Sequence, residues 1–425
     1  MKKITQIIAL FLVVTMMLTG CSSETATKET NMDNNEAVTK SADHETDEKE
    51  PARTAEPVEL TLWHQAEDGV VKVLSEEFAK LEPGIKVNIV RKENLSDALK
   101  LAAGDAGASP DLVWYANDSI GMFAEMGVFE PIDDYVDTNE FNRFLPLTKD
   151  AGEYKGKHYQ IPAYYETVMF MYNKALLSKA PETTDELLEM MKEKTKNGNY
   201  GFVEQHSTAY YVSAWMHAFG GYIINENAEP GLDSQQMIDA INYHKQFAKL
   251  MPVDGEYNTI TTLFLEGKAA AIASGPWFVS AVKDAGIDLG VAPLPTVSEN
   301  GKALQPYSGV QGISLISTSK NKDAAKTVLN FLCKKDLSEA LAIANGAAPA
   351  HSEAYDNTEI QNNEIIMTLK ACAENAIPMP NIPQMNVMWT CTENALAAIN
   401  KSDADTVETL KAAQQEALSQ IKAME

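Results

Sequence analysis

Between residues 58 and 115 the spacing of apolar side chains switches repeatedly, from every second residue to every third or fourth and back. Residues 58–63 (Val-Glu-Leu-Thr-Leu-Trp) alternate apolar and polar, the period of a half-buried strand. Val70, Leu74, Phe78 and Leu81 then recur at helical spacing after Gly69, and Pro83-Gly84 ends that helix ahead of the alternating Ile85, Val87 and Ile89. A second helix over 96–103 leads into a compact apolar strand over 111–115. Strand, helix, strand, helix, strand predicts an α/β fold with a mostly parallel, helix-covered sheet, and such sheets bind ligands beyond the carboxyl ends of their strands. Residues 63–68 and 115–118 fall at two such ends.

Further along, 159–177 reads as two extended pieces around Pro162, with a helical stretch beginning at Asn173-Lys174. Helical patterns with few strands fill 184–265. A strand of small residues over 269–274 ends at Gly275-Pro276-Trp277, and short strands follow at 290–295 and 312–317, before a helix over 323–333. The C-terminal region is helical. Asp405 caps its last helix, whose Val407, Leu410, Ala417 and Ile421 form an apolar stripe. Cys333, Cys372 and Cys391 are an odd set without a CxxC pair, which signals packing rather than a disulfide framework or zinc site, with a Cys372–Cys391 bridge as the minor alternative.

The N-terminus has a different composition. Lys2 and Lys3 precede an apolar run over 7–18 that is too short to span a bilayer comfortably, the pattern of an export signal over 1–20. Leu18-Thr19-Gly20-Cys21 closes it and resembles the bacterial lipoprotein signal, which implies that Cys21 is lipidated and holds the protein on the outer face of the cell membrane. Residues 21–57 are Ser, Thr, Asn, Ala and charge, too polar to bury a core, and read as a disordered acidic tether. The 425-residue chain carries 35 basic and 60 acidic residues, a net charge of −25. That field repels phosphate backbones and excludes nucleic acid as a partner.

The motifs of phosphate loops, nucleophile elbows and zinc helices are absent, and the His residues are scattered without ligand spacing. No catalytic residue, cofactor or metal is therefore expected. What remains is a recurrent pairing of rings with acids: Trp63 with Glu67 and Asp68, Trp114 and Tyr115 with Asp118, Tyr164 and Tyr165 with Glu166, then Tyr210, Tyr211, Trp277 and Trp389. Any one ring is as readily a core residue. Together they suit a saccharide, whose hydroxyls donate to carboxylates and whose C–H faces lie on aromatic rings. The same inventory permits a glycoside hydrolase with Glu166 and Asp118 as its acid pair.

Residues 264–277 (Phe-Leu-Glu-Gly-Lys-Ala-Ala-Ala-Ile-Ala-Ser-Gly-Pro-Trp) resemble the signature of family-1 extracellular solute-binding proteins, the substrate-binding subunits of carbohydrate ABC importers. Residues 111–118, 172–177 and 379–385 (Met-Pro-Asn-Ile-Pro-Gln-Met), followed by Trp389, are most similar to the maltose/maltodextrin branch of that family. The resemblance covers the chain from residue 58 onward. It implies a two-lobed periplasmic-binding-protein (type II) fold with a hinge and an interlobe cleft, one lobe over 58–165 plus 308–358 and the other over 166–307 plus 359–425. It also implies an oligosaccharide ligand, permease subunits as partners, a monomer and no enzyme activity. Carried over residue by residue, the ligand positions fall on Glu67, Tyr115, Asp118 and Glu166, and on Tyr210, Tyr211, Trp277, Met379 and Trp389. The chain departs from the family at Asp68, Ser119, Thr208 and Thr390, which bears on chain length and linkage. Gln65 and His64 are candidates for substitute polar contacts, and Gln65 and Asp68 are counted with the expected ligand positions. A binder of another oligosaccharide and a surface glycan sensor are the competing expectations.

Overall fold

The computed structural model describes residues 57–105 and 107–424. The signal over 1–20, Cys21 and the tether as far as residue 56 lie outside the described residues.

The first alternating segment forms the strand Val58–His64, with Leu60 and Leu62 fully buried. It pairs in parallel with Ile85–Arg91 on one side and Leu112–Ala116 on the other. The helix Asp68–Phe78 packs back through Val70, Val73, Leu74 and Phe78. In spatial order the sheet runs Ala348–Pro349, Ile161–Thr167, Tyr307–Ile316, Leu112–Ala116, Val58–His64, Ile85–Arg91, with Phe129–Glu130 and Ile377–Pro378 also pairing to Tyr307–Ile316.

The expectation of a mostly parallel sheet holds for its first three strands and for the short Ile377–Pro378 beside Tyr307–Ile316. Tyr307–Ile316 runs antiparallel to both Leu112–Ala116 and Ile161–Thr167, because it enters from a distant part of the chain rather than through a helical crossover. It is also longer than the strand expected over 312–317. Gly309 and Gly312 make its first half resemble a loop. Gly312 is required by close packing, since a Cβ there would lie 2.3 Å from the Ile161 carbonyl oxygen.

A second sheet has the order Leu289–Ala292, Met169–Asn173, Ala269–Ser274, Tyr200–Val203. All six residues of Ala269–Ser274 are buried, and the faces alternate. Phe170, Phe202, Ala271 and Ala273 join one core, whereas Met169, Met171, Val203, Ala269 and Ile272 join another. A strand covered on both faces has no polar side, which is why these residues read as continuous apolar runs.

The chain passes between the two sheets in three places. Ile161–Thr167 belongs to the first sheet and Met169–Asn173 to the second, so the crossing occupies Val168 alone. The expected break at Pro162 is therefore displaced: Pro162 sits inside the strand, opposite a register shift at Gln311/Gly312 that accommodates a residue without an N–H. The second crossing joins Leu289–Ala292 to Tyr307–Ile316, and Thr167 Oγ1 donates to the Tyr307 carbonyl at 2.7 Å where the two crossings meet. The third is 377–385. There Gly121 N–H donates to the Asn381 carbonyl at 2.9 Å, an approach that a Cβ on Gly121 would block at 2.2 Å, and the helix Met385–Ser402 then buries Met385, Met388 and Leu396 in the second sheet's core.

Other differences have local causes. No helix starts at Asn173-Lys174, because Asn173 Oδ1 accepts Ala175 N–H at 2.9 Å and closes a turn. The helix Thr184–Lys194 begins later, capped by Thr183. Asp405 caps Thr406–Lys422 as expected, accepting from Glu408 N–H. Cys333, Cys372 and Cys391 are free and buried in three different cores, so no Cys372–Cys391 bridge forms. Trp63 and Tyr165 are core residues rather than site residues. Lys92 lies 4.0 Å over the Trp63 ring, and Tyr165 shares a 2.8 Å hydrogen bond with Tyr355.

Candidate functional site

The strands of the first sheet end at a cleft. The loop after Val58–His64 presents Gln65 and Glu67 to it. Glu67 occupies the N-cap position of Asp68–Phe78 without using its side chain as a cap, so the carboxylate stays available. Leu112–Ala116 presents Tyr115 near its end and runs into the short turn Asn117–Ser119, which presents Asp118. Asn117 beneath fixes that turn: its Oδ1 accepts Val310 N–H at 2.9 Å and its Nδ2 donates to the Met379 carbonyl at 3.3 Å. Glu166 stands near the end of Ile161–Thr167, beside the crossing, and accepts from Gln311 Nε2 at 3.0 Å.

The opposite wall is aromatic. After Ala269–Ser274 the chain turns through Gly275 into Pro276–Phe278, and the Trp277 ring folds back over Gly275 so closely that a Cβ there would lie 2.1 Å from it. Glycine is thus the only residue that allows this ring position. Tyr210 and Tyr211 open the helix Ala209–Ala218 and diverge, as neighbouring helical residues must. Tyr210 faces the cleft with its ring 6.2 Å from Trp277. Tyr211 turns inward and supports the Trp277 ring edge-on at 6.4 Å without lining the cleft. Trp389, on Met385–Ser402, packs edge-on against Tyr307 at 6.0 Å, and Met379 fills the floor between.

These residues bound three chambers that share walls. One of ≈ 360 Å³ lies among Gln65, Glu67, Tyr115, Asp118, Tyr164, Glu166 and Gln311, with Trp277 opposite. A second of ≈ 330 Å³ lies among Asp118, Glu166, Tyr210, Trp277, Met379, Trp389 and Glu393. A third of ≈ 510 Å³ extends past Glu67 and Asp68 toward Asp284 and Asn345. Each is within the range of a small-molecule site. Among the described residues, no Lys or Arg lines the first two chambers. His64 is buried behind them, with Nδ1 accepting Ala66 N–H at 3.2 Å, and does not reach the cleft.

Burial without a counter-cation governs the electrostatics. It pushes the Glu166 carboxyl up from 4.5 to about 7, with Gln311 opposing the shift and Glu67 adding to it. Burial also raises Asp118, although the Trp389 indole and the Ser119 amide and hydroxyl favour its ionised form. Tyr164 and Tyr210 are raised for the same reason, and Glu166 contributes to both. Among the described residues no group of His, Cys, Asp and Glu is placed to hold a metal ion. Of the aromatic and polar side chains lining the first two chambers, four were not among the sequence-derived ligand positions: Trp114 and Tyr164, tilted against each other at 5.7 Å, and Gln311 and Glu393. Glu393 was discoverable, since it lies four residues after Trp389 on one helix face.

The Glu166 shift gives stability a definite pH dependence. Between about pH 4.5 and 7 the folded protein retains a proton that the unfolded chain has released, so this group's contribution is complete below pH 4.5 and is lost as pH rises through 7. Glu166→Gln should remove that loss. Urea unfolding at pH 5 and pH 8 is predicted to show a smaller fall in stability for the variant than for the parent, by on the order of 1–3 kcal/mol; superimposable pH profiles would contradict the assignment.

Comparison with known proteins places this geometry in a family. Residues 74–368 match the model of the bacterial extracellular solute-binding proteins. A maltotriose-binding protein of Pyrococcus abyssi is 37% identical over 375 residues, covering 85% of this chain and 82% of the relative. A galactooligosaccharide-binding protein of Bacillus subtilis is 29% identical over 382 residues, covering 86% and 90%. Among solved structures, a cyclo/maltodextrin-binding protein complexed with maltotetraose superposes with a TM-score of 0.76 at 30% identity, covering 88% of this chain and 100% of that one. A maltose/maltodextrin-binding domain from Bdellovibrio bacteriovorus bound to maltotriose gives a TM-score of 0.78 at 27% identity, covering 86% and 100%. With its two large sheets, its triple crossing and a family match over most of its length, the chain belongs to the bacterial extracellular solute-binding proteins.

Proposed function

We propose that this protein is the substrate-binding lipoprotein of a carbohydrate ABC importer, and that it closes around maltose/maltodextrin-type oligosaccharides and delivers them to the permease. The observation that carries this reading is that Asp118, Glu166 and Gln311 line one continuous cleft with Tyr210, Trp277 and Trp389. A pyranose lying on the rings turns its C–H faces to them and its hydroxyls to the acids. The lack of cations in the first two chambers suits a neutral ligand. The lobes are assigned as 58–165 plus 308–358 and 166–307 plus 359–425. Hinge motion about the crossings brings Glu67, Tyr115 and Asp118 onto a sugar docked on the rings, and only contacts made in the closed form drive that equilibrium. The protein acts as a monomer, anchored at the outer membrane face by lipid on Cys21.

Calorimetry against maltose, maltotriose, longer maltodextrins, cyclodextrin, sucrose, raffinose and xylo-oligosaccharides tests the ligand class. Heat is predicted with the α-glucans, and Trp277→Ala and Trp389→Ala should each weaken maltotriose by roughly 5- to 100-fold, or about 1–3 kcal/mol. Heat with only the last three sugars would overturn the assignment, and raffinose binding in particular would favour a galactooligosaccharide ligand. The anchor has its own test. Cys21→Ser should move the protein from the membrane fraction into the medium, and unchanged membrane retention would refute lipid attachment there.

A further inference from the structure

One carboxylate of the cleft stands on the aromatic wall, opposite Asp118 and Glu166. Glu393 lies four residues after Trp389 on the helix Met385–Ser402, so the two side chains share a face, and it lines the ≈ 330 Å³ chamber with Tyr210 and Trp389. One of its oxygens is already engaged. Oε1 accepts the Ala209 backbone N–H at 3.2 Å, and that amide is the first of the helix Ala209–Ala218, whose second residue is Tyr210.

This contact is needed because the helix does not cap itself. Thr208, at the N-cap position, makes no side-chain cap, and its hydroxyl donates instead to Gln205 Oε1 at 3.3 Å. A helix start without a cap leaves free donors and the positive end of the helix dipole. Glu393 answers both from a different helix. The Ala209–Glu393 bond therefore ties the helix of Tyr210 to the helix of Trp389, and the two rings stand on the joined pair.

We propose that Glu393 positions the aromatic platform, by capping the Tyr210 helix from the Trp389 helix, and that its second oxygen accepts a hydroxyl of the bound saccharide. This rests on the sugar-binding reading above and adds a residue to it. Asp118 and Glu166 reach a sugar from one side only, whereas Glu393 supplies a carboxylate acceptor on the side where the sugar first docks. The residue is half-buried; burial pushes its carboxyl up and the Ala209 amide draws it back.

Two variants separate the roles in the full-length protein. Glu393→Gln keeps an oxygen for the Ala209 amide but loses the charge. It should leave hydrogen exchange at Ala209 within about threefold of the parent and weaken maltotriose by roughly five- to twentyfold. Glu393→Ala removes both functions. It should speed exchange at Ala209 by at least about tenfold and weaken maltotriose by about thirtyfold or more. The positioning role is overturned if the Ala variant exchanges at Ala209 like the parent, and the ligand contact is overturned if the Gln variant binds maltotriose like the parent. Should the parent itself give no heat with maltotriose, the sugar reading fails, while the exchange comparison still decides whether Glu393 holds the platform.

Discussion

The backbone ladder of Tyr307–Ile316 underlies the rest of the molecule. This strand pairs with Leu112–Ala116 along one edge and with Ile161–Thr167 along the other, and its start lies where the chain arrives from the second sheet. Three things follow from its register. It brings Gln311 beside Glu166, it holds the turn bearing Asp118 through the Val310–Asn117 bond, and it receives the short strand Ile377–Pro378 that leads toward Trp389. Acids and rings that are far apart in sequence thus converge because one strand fixes the elements that carry them.

The cost of that convergence is desolvation. Glu166 and Asp118 are enclosed with neutral donors rather than cations, and both carboxyls rise above their ordinary range. Such groups keep free acceptor positions, and a sugar hydroxyl can donate to them without bringing charge into the cleft. The aromatic wall is rigid for complementary reasons. Trp277 is pinned over Gly275 and braced by Tyr211, and Trp389 is braced by Tyr307. Rings already held in place lose little freedom when a ligand arrives, so more of the contact energy appears as affinity.

Much of this was legible in the chain. The alternation over 58–115 located the first three strands and the ends at which Glu67, Tyr115 and Asp118 stand, because period and strand polarity are local properties. The Gly-Pro-Trp turn after a buried small-residue strand announced Trp277. What escaped depended on tertiary context. Gln311 turns toward the cleft beside a register shift, and the five residues before Gly312 look like a loop until their neighbours are known. Trp63 and Tyr165 carried the same signal as the cleft rings but point into cores, since facing direction depends on which side of the sheet is covered. Tyr211 differs from Tyr210 by one helical step, enough to change a cleft residue into a brace.

The central claim is that rings from one side and acids from the other meet on a single saccharide. A crystal structure of the protein with maltotriose tests this most directly. The account predicts pyranose faces against Trp277 and Trp389, with hydroxyls within hydrogen-bond reach of Asp118 and Glu166. A well-ordered maltotriose seated elsewhere, or one that touches the rings while both carboxylates remain bonded only to protein, would contradict it.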